Sequence, residues 1–189
     1  MSLKKYSFLR NNKISFKEYS LVPLRKSDIQ NIRRWRNEQI NVLRQKTLLS
    51  KNDQILYYEN IIKKSFTKSQ PDIILFSFLY CKKCIGYGGL VHVNWKLKSG
   101  EVSFVCDTKI SNSKKRYQSS FSIFLNLIFK IAFDEMKLNK ITSEVFDIRP
   151  WTREILEKSG FNICDILKNH VMIEDKQIDS ILYQKILRD

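Results

Sequence analysis

The sequence predicts a single α/β domain whose central sheet is mixed, mostly antiparallel, and flanked by helices. The chain has 189 residues, of which 43% are hydrophobic, so it is long enough to bury one core without disulfide bonds. Its apolar residues switch between strand-like and helix-like spacing, and only five glycines and three prolines interrupt the pattern. The predicted element order is β-α-α-β-β-β-α-β-α-β-β. The predicted domain covers residues 16–189 and follows an N-terminal extension, residues 1–15, of which Met1–Leu3 could be an expression remnant.

The first part of the chain predicts a strand and two helices. Residues 16–24 read as a first strand, and Ser27 and Asp28 then supply an N-cap for a first helix. A second helix is predicted to begin at Ser50 or Asn52, residue types that cap helices. The apolar face of the first helix consists of Ile29, Ile32 and Trp35.

The middle of the chain predicts three consecutive strands. Residues 73–80 and 85–95 flank Lys82-Lys83 as a hairpin. A third strand, residues 101–107, returns after Lys98-Ser99-Gly100. These connections are short, so the three strands are expected to be antiparallel neighbours.

The last part of the chain predicts a buried helix, a strand, a short helix and a hairpin. The helix that includes Phe121 is apolar on both sides, which predicts a central position in the core. Residues 140–146 form the predicted strand, and the helix at 151–158 is ended by Gly160. The final hairpin comprises residues 161–174 and 177–187.

The charge balance is strongly basic: 34 Lys and Arg residues against 19 Asp and Glu give a net charge of +15. Such a surface attracts polyanions, whether nucleic acid, nucleotide or coenzyme. No long basic block and no motif of a nucleic-acid-binding module is present. A phosphorylated small ligand is therefore a better prediction than nucleic acid, although a general bias toward Lys, Ile and Asn would also raise the charge.

The sequence carries neither a membrane signal nor a metal motif. No run approaches the ~20 apolar residues that span a bilayer, and the start lacks the apolar core of a signal peptide. We therefore expect a cytoplasmic protein without a membrane partner. Cys81 and Cys84 form a C-x-x-C pair between two predicted strands, but Cys106 and Cys164 are isolated, so no metal site is expected.

Polar residues gather on two neighbouring predicted strands. Glu101 and Ser103 share one face of their strand, and His92 and Asn94 share one face of the preceding strand. If residues 96–99 form the connecting loop, Asn94 pairs with Glu101 and His92 with Ser103. Polar side chains among apolar strands are costly unless they bind each other or a ligand, so this cluster predicts a functional site.

Several stretches carry a family resemblance that covers residues 19–187. They are residues 21–28 with 32–38, residues 85–92 with 101–104, residues 155–161 (Ile-Leu-Glu-Lys-Ser-Gly-Phe) and residues 170–182. In these stretches the chain resembles the GNAT superfamily of acyl-CoA-dependent N-acetyltransferases, in which the corresponding helix ends on Leu-Tyr-Glu-Lys-Leu-Gly-Phe. The first and last stretches resemble the branch with ribosomal-protein N-terminal and amino-sugar acetyltransferases. The second stretch resembles bacterial members that modify sugars for surface polysaccharides.

The resemblance implies acetyl-CoA as co-substrate. Backbone groups of residues 104–106 would hold its pantetheine arm as an added strand, which requires the sheet to splay beside the strand at 141–146. Residues 116–121 stand where the family carries Arg/Gln-x-x-Gly-x-Gly/Ala and contain no glycine, but amides at a helix N-terminus still favour an anion. The alternative is a solvated basic turn that no longer binds CoA. The implied cofactor-binding residues are Phe104, Val105, Cys106, Lys115, Arg116, Tyr117, Gln118, Ser119, Ser120, Phe121, Asp147 and Arg149.

Acetyl transfer needs a base, because the acceptor ammonium must lose a proton before its nitrogen can attack. Glu101 is the predicted base, directly or through water, with His92 as helper or substitute. An edge-exposed glutamate and a structural, half-buried histidine are the alternatives. Leu156 stands where many family members have the tyrosine that protonates the departing thiolate, so water, Tyr183 or Tyr117 would take that role.

The predicted function is acetylation of a small amine, with an amino sugar on a nucleotide carrier as the leading acceptor. A protein N-terminus is one alternative, and a degenerate GNAT-like domain that binds a ligand or nucleic acid without turnover is another. A homodimer is compatible with each. The residues predicted to contact the acceptor are Trp35, Arg36, Asn37, Asn94 and His170.

Overall fold

A computed structural model of the chain describes residues 5–187. Its strands are β1 (Ile14–Phe16), β2 (Tyr19–Pro23), β3 (Ile74–Tyr80), β4 (Lys83–Asn94), β5 (Ser99–Cys106), β6 (Lys140–Phe146), β7 (Asn162–Ile173) and β8 (Lys176–Ile186). They form one sheet in the order β1-β2-β3-β4-β5-β6-β8-β7. Neighbouring strands are antiparallel except β5 and β6, which are parallel. The predicted mixed, mostly antiparallel sheet is confirmed.

The helices connect the strands and cover the sheet. They are α1 (Ile29–Glu38), α2 (Lys51–Tyr57), α3 (Lys63–Ser65), α4 (Thr108–Ser111), α5 (Lys114–Phe129) and α6 (Pro150–Lys158). A π-helical turn at Tyr58–Ile62 joins α2 to α3, and another at Lys130–Glu135 extends α5. No helix among residues 5–187 is long and apolar enough to cross a membrane.

The core is centred on α5, as the two-sided apolar pattern of this helix predicts. Phe124 and Ile128 are fully buried, and the Phe124 ring packs 4.5 Å from the ring of Phe104 on β5. Phe104 also stacks on Phe121 at 4.9 Å. This packing fixes the position of β5 relative to α5, the two elements that contain all the predicted cofactor residues except Asp147 and Arg149.

The segment before β1 contributes to the same core. Tyr6 is buried, and its hydroxyl donates a hydrogen bond to the Leu75 carbonyl at 2.9 Å. The division into an extension at 1–15 and a domain at 16–189 stays a prediction, and Met1–Leu3 lie outside the described residues.

The single strand predicted at residues 16–24 is wrong in detail. The structure has a hairpin here, β1 and β2, because Lys17 adopts a left-handed conformation (φ 50°) and turns the chain back on itself. The hairpin adds β1 as an edge strand. The alternation of apolar residues did not show that β1 and β2 are separate strands.

The predicted pairing of Asn94 with Glu101 and of His92 with Ser103 is also wrong. Glu101 pairs with Val91, Ser103 pairs with Gly89, and Asn94 pairs with Ser99. Two features explain the difference: the turn begins at Trp95, and a bulge at His92 (φ 51°) shifts the register between Val91 and Asn94.

Candidate active site

A cleft of about 490 Å³ lies where β5 and β6 separate. The two strands pair only from Ser99 to Glu101 on β5 and from Lys140 to Thr142 on β6. Beyond these residues both strands line the cleft, together with α5, α6 and the segment that follows α1. The splay implied by the family resemblance is therefore present.

The separation leaves the β6-facing edge of β5 without a partner strand over residues 102–106. Backbone amides and carbonyls at such an edge need hydrogen-bond partners, and an extended ligand with amide groups can pair with them as an added strand. Gln39 already donates its Nε2 to the Cys106 carbonyl at 2.8 Å. The edge at Phe104 and Val105 remains as the predicted position of the pantetheine arm.

Residues 116–121, predicted to bind the cofactor phosphates, are helical. α5 begins at Lys114, so residues 116–121 lie in its first two turns, and the short helix α4 precedes it. Of the predicted residues here, Tyr117 and Phe121 line the cleft. The Gln118 amide donates to Glu154 at 3.0 Å. A separate groove beside Tyr19 and Tyr80 is lined by Lys115, Arg116, Ser119 and Ser120.

The α6 end of the cleft carries a basic and polar group. The Arg149 guanidinium lies over the Tyr117 ring, 5.9 Å from its centroid. Burial raises the pKa of Tyr117 to about 12, so its phenol keeps its proton at physiological pH. The Thr152 side chain also lines the cleft and is buried beside Tyr117. These three side chains fit an oxygen-rich anionic ligand.

Asp147, another predicted cofactor-binding residue, forms an ion pair outside this group. Its carboxylate accepts a hydrogen bond from Arg153 at 2.9 Å. Thr152 was missed by the sequence prediction, although a polar residue just after the Pro150 start of a short helix was the available signal.

The other end of the cleft is acidic. Glu101 on β5 and Glu144 on β6 both line it, with side chains only 16% and 13% exposed. Arg44, from the segment after α1, bonds to both carboxylates; its Nη1 lies 3.3 Å from Glu144 Oε2. Ser180 Oγ donates to Glu144 Oε1 at 2.7 Å, and His170 Nε2 lies 3.9 Å from the same oxygen.

His92 and Ser103 complete this end, since both line the cleft beside Glu101. The bulge that defeated the predicted pairing brings His92 there. The predicted base and its predicted helper therefore line the same cleft from adjacent strands, and their roles stay predictions. Arg44 and Glu144 were missed, because their proximity depends on the β5–β6 and β6–β8 registers, for which the local sequence gave no signal.

Four other predicted residues have structural contacts. Trp35 is buried in the core, and Asn37 holds the Leu49 backbone through hydrogen bonds of 2.9 Å to its amide and its carbonyl. Asn94 accepts from the Leu97 amide in the β4–β5 turn. Tyr183 is buried and donates to Glu157 at 3.0 Å, and it is not among the residues that line the cleft.

Arg36, also predicted to contact the acceptor, does line the cleft, and it donates to the Tyr87 hydroxyl at 2.6 Å.

Cys106 lines the cleft, but its chemistry is restricted. Burial raises the pKa of its thiol to about 12, so the nucleophilic thiolate is not formed at physiological pH. Cys106 is therefore not proposed as a nucleophile. Within residues 5–187, no group of three or more His, Cys, Asp or Glu side chains could hold a metal ion.

Comparison with known proteins gives one family match and a set of similar folds. Residues 21–182 match the family described as "Acetyltransferase (GNAT) domain". No curated protein matches the chain. The structure is similar to spermidine N-acetyltransferase from Vibrio cholerae in complex with CoA and spermine, with TM-score 0.76 and 17% identity over 90% of this chain and 96% of that one. It is also similar to the ribosomal-protein-S5-alanine acetyltransferase from Vibrio fischeri, with TM-score 0.70 and 17% identity over 95% and 98% of the two chains.

Proposed function

Because the chain belongs to the GNAT acetyltransferase family, we propose that it transfers the acetyl group of acetyl-CoA to a small primary amine in the cleft between β5 and β6. The predicted enzyme class, an acyl-CoA-dependent N-acetyltransferase, is confirmed by this family match. The observation that carries the proposal is the layout of the cleft, which joins an unpaired strand edge to an acidic end and a basic end.

The residues present fit acetyl-CoA. Its pantetheine arm would pair with the backbone at Phe104 and Val105, and its diphosphate would lie near Arg149 and the Thr152 hydroxyl. Lys115 and Arg116 line the separate groove beside Tyr19 and Tyr80, so their predicted contact with the cofactor is not part of this proposal. When bound, acetyl-CoA supplies an acetyl group whose carbonyl carbon exchanges its bond to sulfur for a bond to the amine nitrogen.

Glu101 is the proposed base. Its carboxylate lies in the cleft on β5, just where β5 parts from β6, and can accept a proton from an ammonium group that enters from the acidic end. His92 lines the same end and is the proposed helper. Of the two tyrosines considered as proton donors, Tyr117 lines the cleft, but it lies at the α6 end beside Arg149, away from Glu101. Water is therefore the proposed proton donor to the departing thiolate.

The shape of the acidic end supports a small acceptor. The tip of the β7–β8 hairpin reaches across to the segment after α1, where Asn41 donates to Glu174 at 2.8 Å. The segment after α1 also lines the cleft through Val42 and Leu43, and we infer that its contact with the hairpin tip restricts the entry of a protein N-terminus. We propose an amino sugar on a nucleotide carrier as the acceptor, in a cytoplasmic enzyme; Arg36 lies at the cleft and could contact the carrier phosphates.

An acceptor panel tests this proposal. Release of the CoA thiol would be followed with nucleotide-linked amino sugars, simple alkylamines and peptides that begin with alanine. We expect the nucleotide-linked amino sugars to give the highest kcat/KM, because only they offer both an amine and phosphates. Turnover of the peptides alone would instead assign the chain to protein N-terminal acetylation.

A further inference from the structure

The Arg44 guanidinium occupies the space between two carboxylates of the cleft. Glu101 and Glu144 come from neighbouring strands, both are largely buried, and Arg44 bonds to both. A cation between two neighbouring carboxylates offsets their mutual repulsion and the cost of burying them. The acidic end of the cleft is thus built to hold a positive charge.

Arg44 is suited to leave this position. Its side chain is 50% exposed, and it belongs to residues 43–49, which form neither helix nor strand. The next residue, Gln45, is anchored by Arg36 and Asn37 through hydrogen bonds of 2.8 and 3.0 Å. These bonds hold the Gln45 side chain against α1, whereas the half-exposed Arg44 side chain can rotate toward solvent.

We propose that this space is the acceptor-amine subsite and that the acceptor enters it as an alkylammonium ion, which replaces the Arg44 guanidinium between Glu101 and Glu144. The inference rests on the proposed function and narrows its acceptor to aliphatic amines that are protonated at neutral pH. An aromatic amine, which is neutral there, would leave the two carboxylates without a counter-charge. Arg44 then acts as a specificity-determining residue that competes with every acceptor.

Calorimetric titration without acetyl-CoA tests the subsite. The probe is diaminobutane, with butanediol as its neutral counterpart. We expect Arg44→Gln to bind diaminobutane about tenfold more tightly than the unchanged chain, because two ion pairs no longer have to be broken. Glu101→Gln and Glu144→Gln should each weaken binding, and butanediol should not bind.

Arg34→Gln is the matched control. Arg34 is 55% exposed and pairs with Glu38 at 3.8 Å on α1, outside the residues that line the cleft; its replacement should leave diaminobutane binding unchanged. Equal or weaker binding by Arg44→Gln would overturn the inference and make Arg44 a surface ion pair or a substrate contact. Because the titration measures binding without acetyl-CoA, failure of acetyl transfer would refute the proposed function and leave this result intact.

Discussion

Replacement of Glu101 by glutamine is expected to lower kcat by a factor of about 10²–10⁴, the usual contribution of a positioned general base. Glutamine keeps the size of the side chain and can still accept a hydrogen bond from Arg44, but it cannot take the ammonium proton. Steady-state kinetics across a range of pH measures the effect. The deficit should shrink as the pH approaches the pKa of the acceptor amine, because solvent then removes the proton.

The control for this variant is Glu59→Gln. Glu59 is a surface glutamate that bonds to Lys26 and Lys63 at 2.5 and 2.8 Å, so kcat should not change. An unchanged kcat for Glu101→Gln at neutral pH would exclude Glu101 as the base and transfer the role to His92, which lines the same end of the cleft.

Replacement of Gly88 by alanine is expected to destabilise the fold by about 2–3 kcal/mol, the upper part of the range for overpacked cores. A Cβ at Gly88 would lie 2.1 Å from the Ser103 carbonyl oxygen and 2.8 Å from Phe124 Cζ. The first contact is with backbone, so β4 and β5 would have to move apart. Thermal unfolding should show a Tm lower by roughly 5–10 °C for a chain of this size.

Gly100→Ala provides the contrast within the same sheet. The nearest atom to a Cβ there is Val93 Cγ2 at 3.4 Å, an ordinary contact, so the Tm should change little. Equal Tm values for the two variants would contradict this prediction, because they would show that a methyl group fits between β4 and β5 at Gly88. Because the same approach positions Ser103, Gly88→Ala should also lower acetylation in the folded fraction.

Local patterns were enough to predict most of the fold. The two-sided apolar character of α5 placed Phe124 and Ile128 in the core, and alternation located β3 and β4 and the final hairpin. The β1–β2 hairpin was missed, because its turn depends on a left-handed Lys17, a conformation that lysine does not favour and that composition does not reveal.

The site was harder to predict, since it depends on strand register. Glu101 and His92 were selected by alternation. The predicted register between their strands was wrong, because the bulge at His92 shifts it. The contacts of Arg44 with Glu101 and Glu144 span 57 and 100 residues, and nothing local to any of the three predicts them. The start of α5 at Lys114 also escaped prediction, because the family pattern suggested a loop at residues 116–121.

Binding of acetyl-CoA tests the central assignment most directly. Thermal unfolding would be recorded with millimolar acetyl-CoA and, at equal ionic strength, with ATP, because a chain of net charge +15 attracts any polyanion. A ligand at a hundredfold its Kd stabilises a protein by about 2.7 kcal/mol, so acetyl-CoA should raise the Tm by roughly 5–10 °C and ATP by clearly less. If acetyl-CoA raised the Tm no more than ATP does, this result would contradict the assignment of the β5–β6 cleft as an acetyl-CoA site.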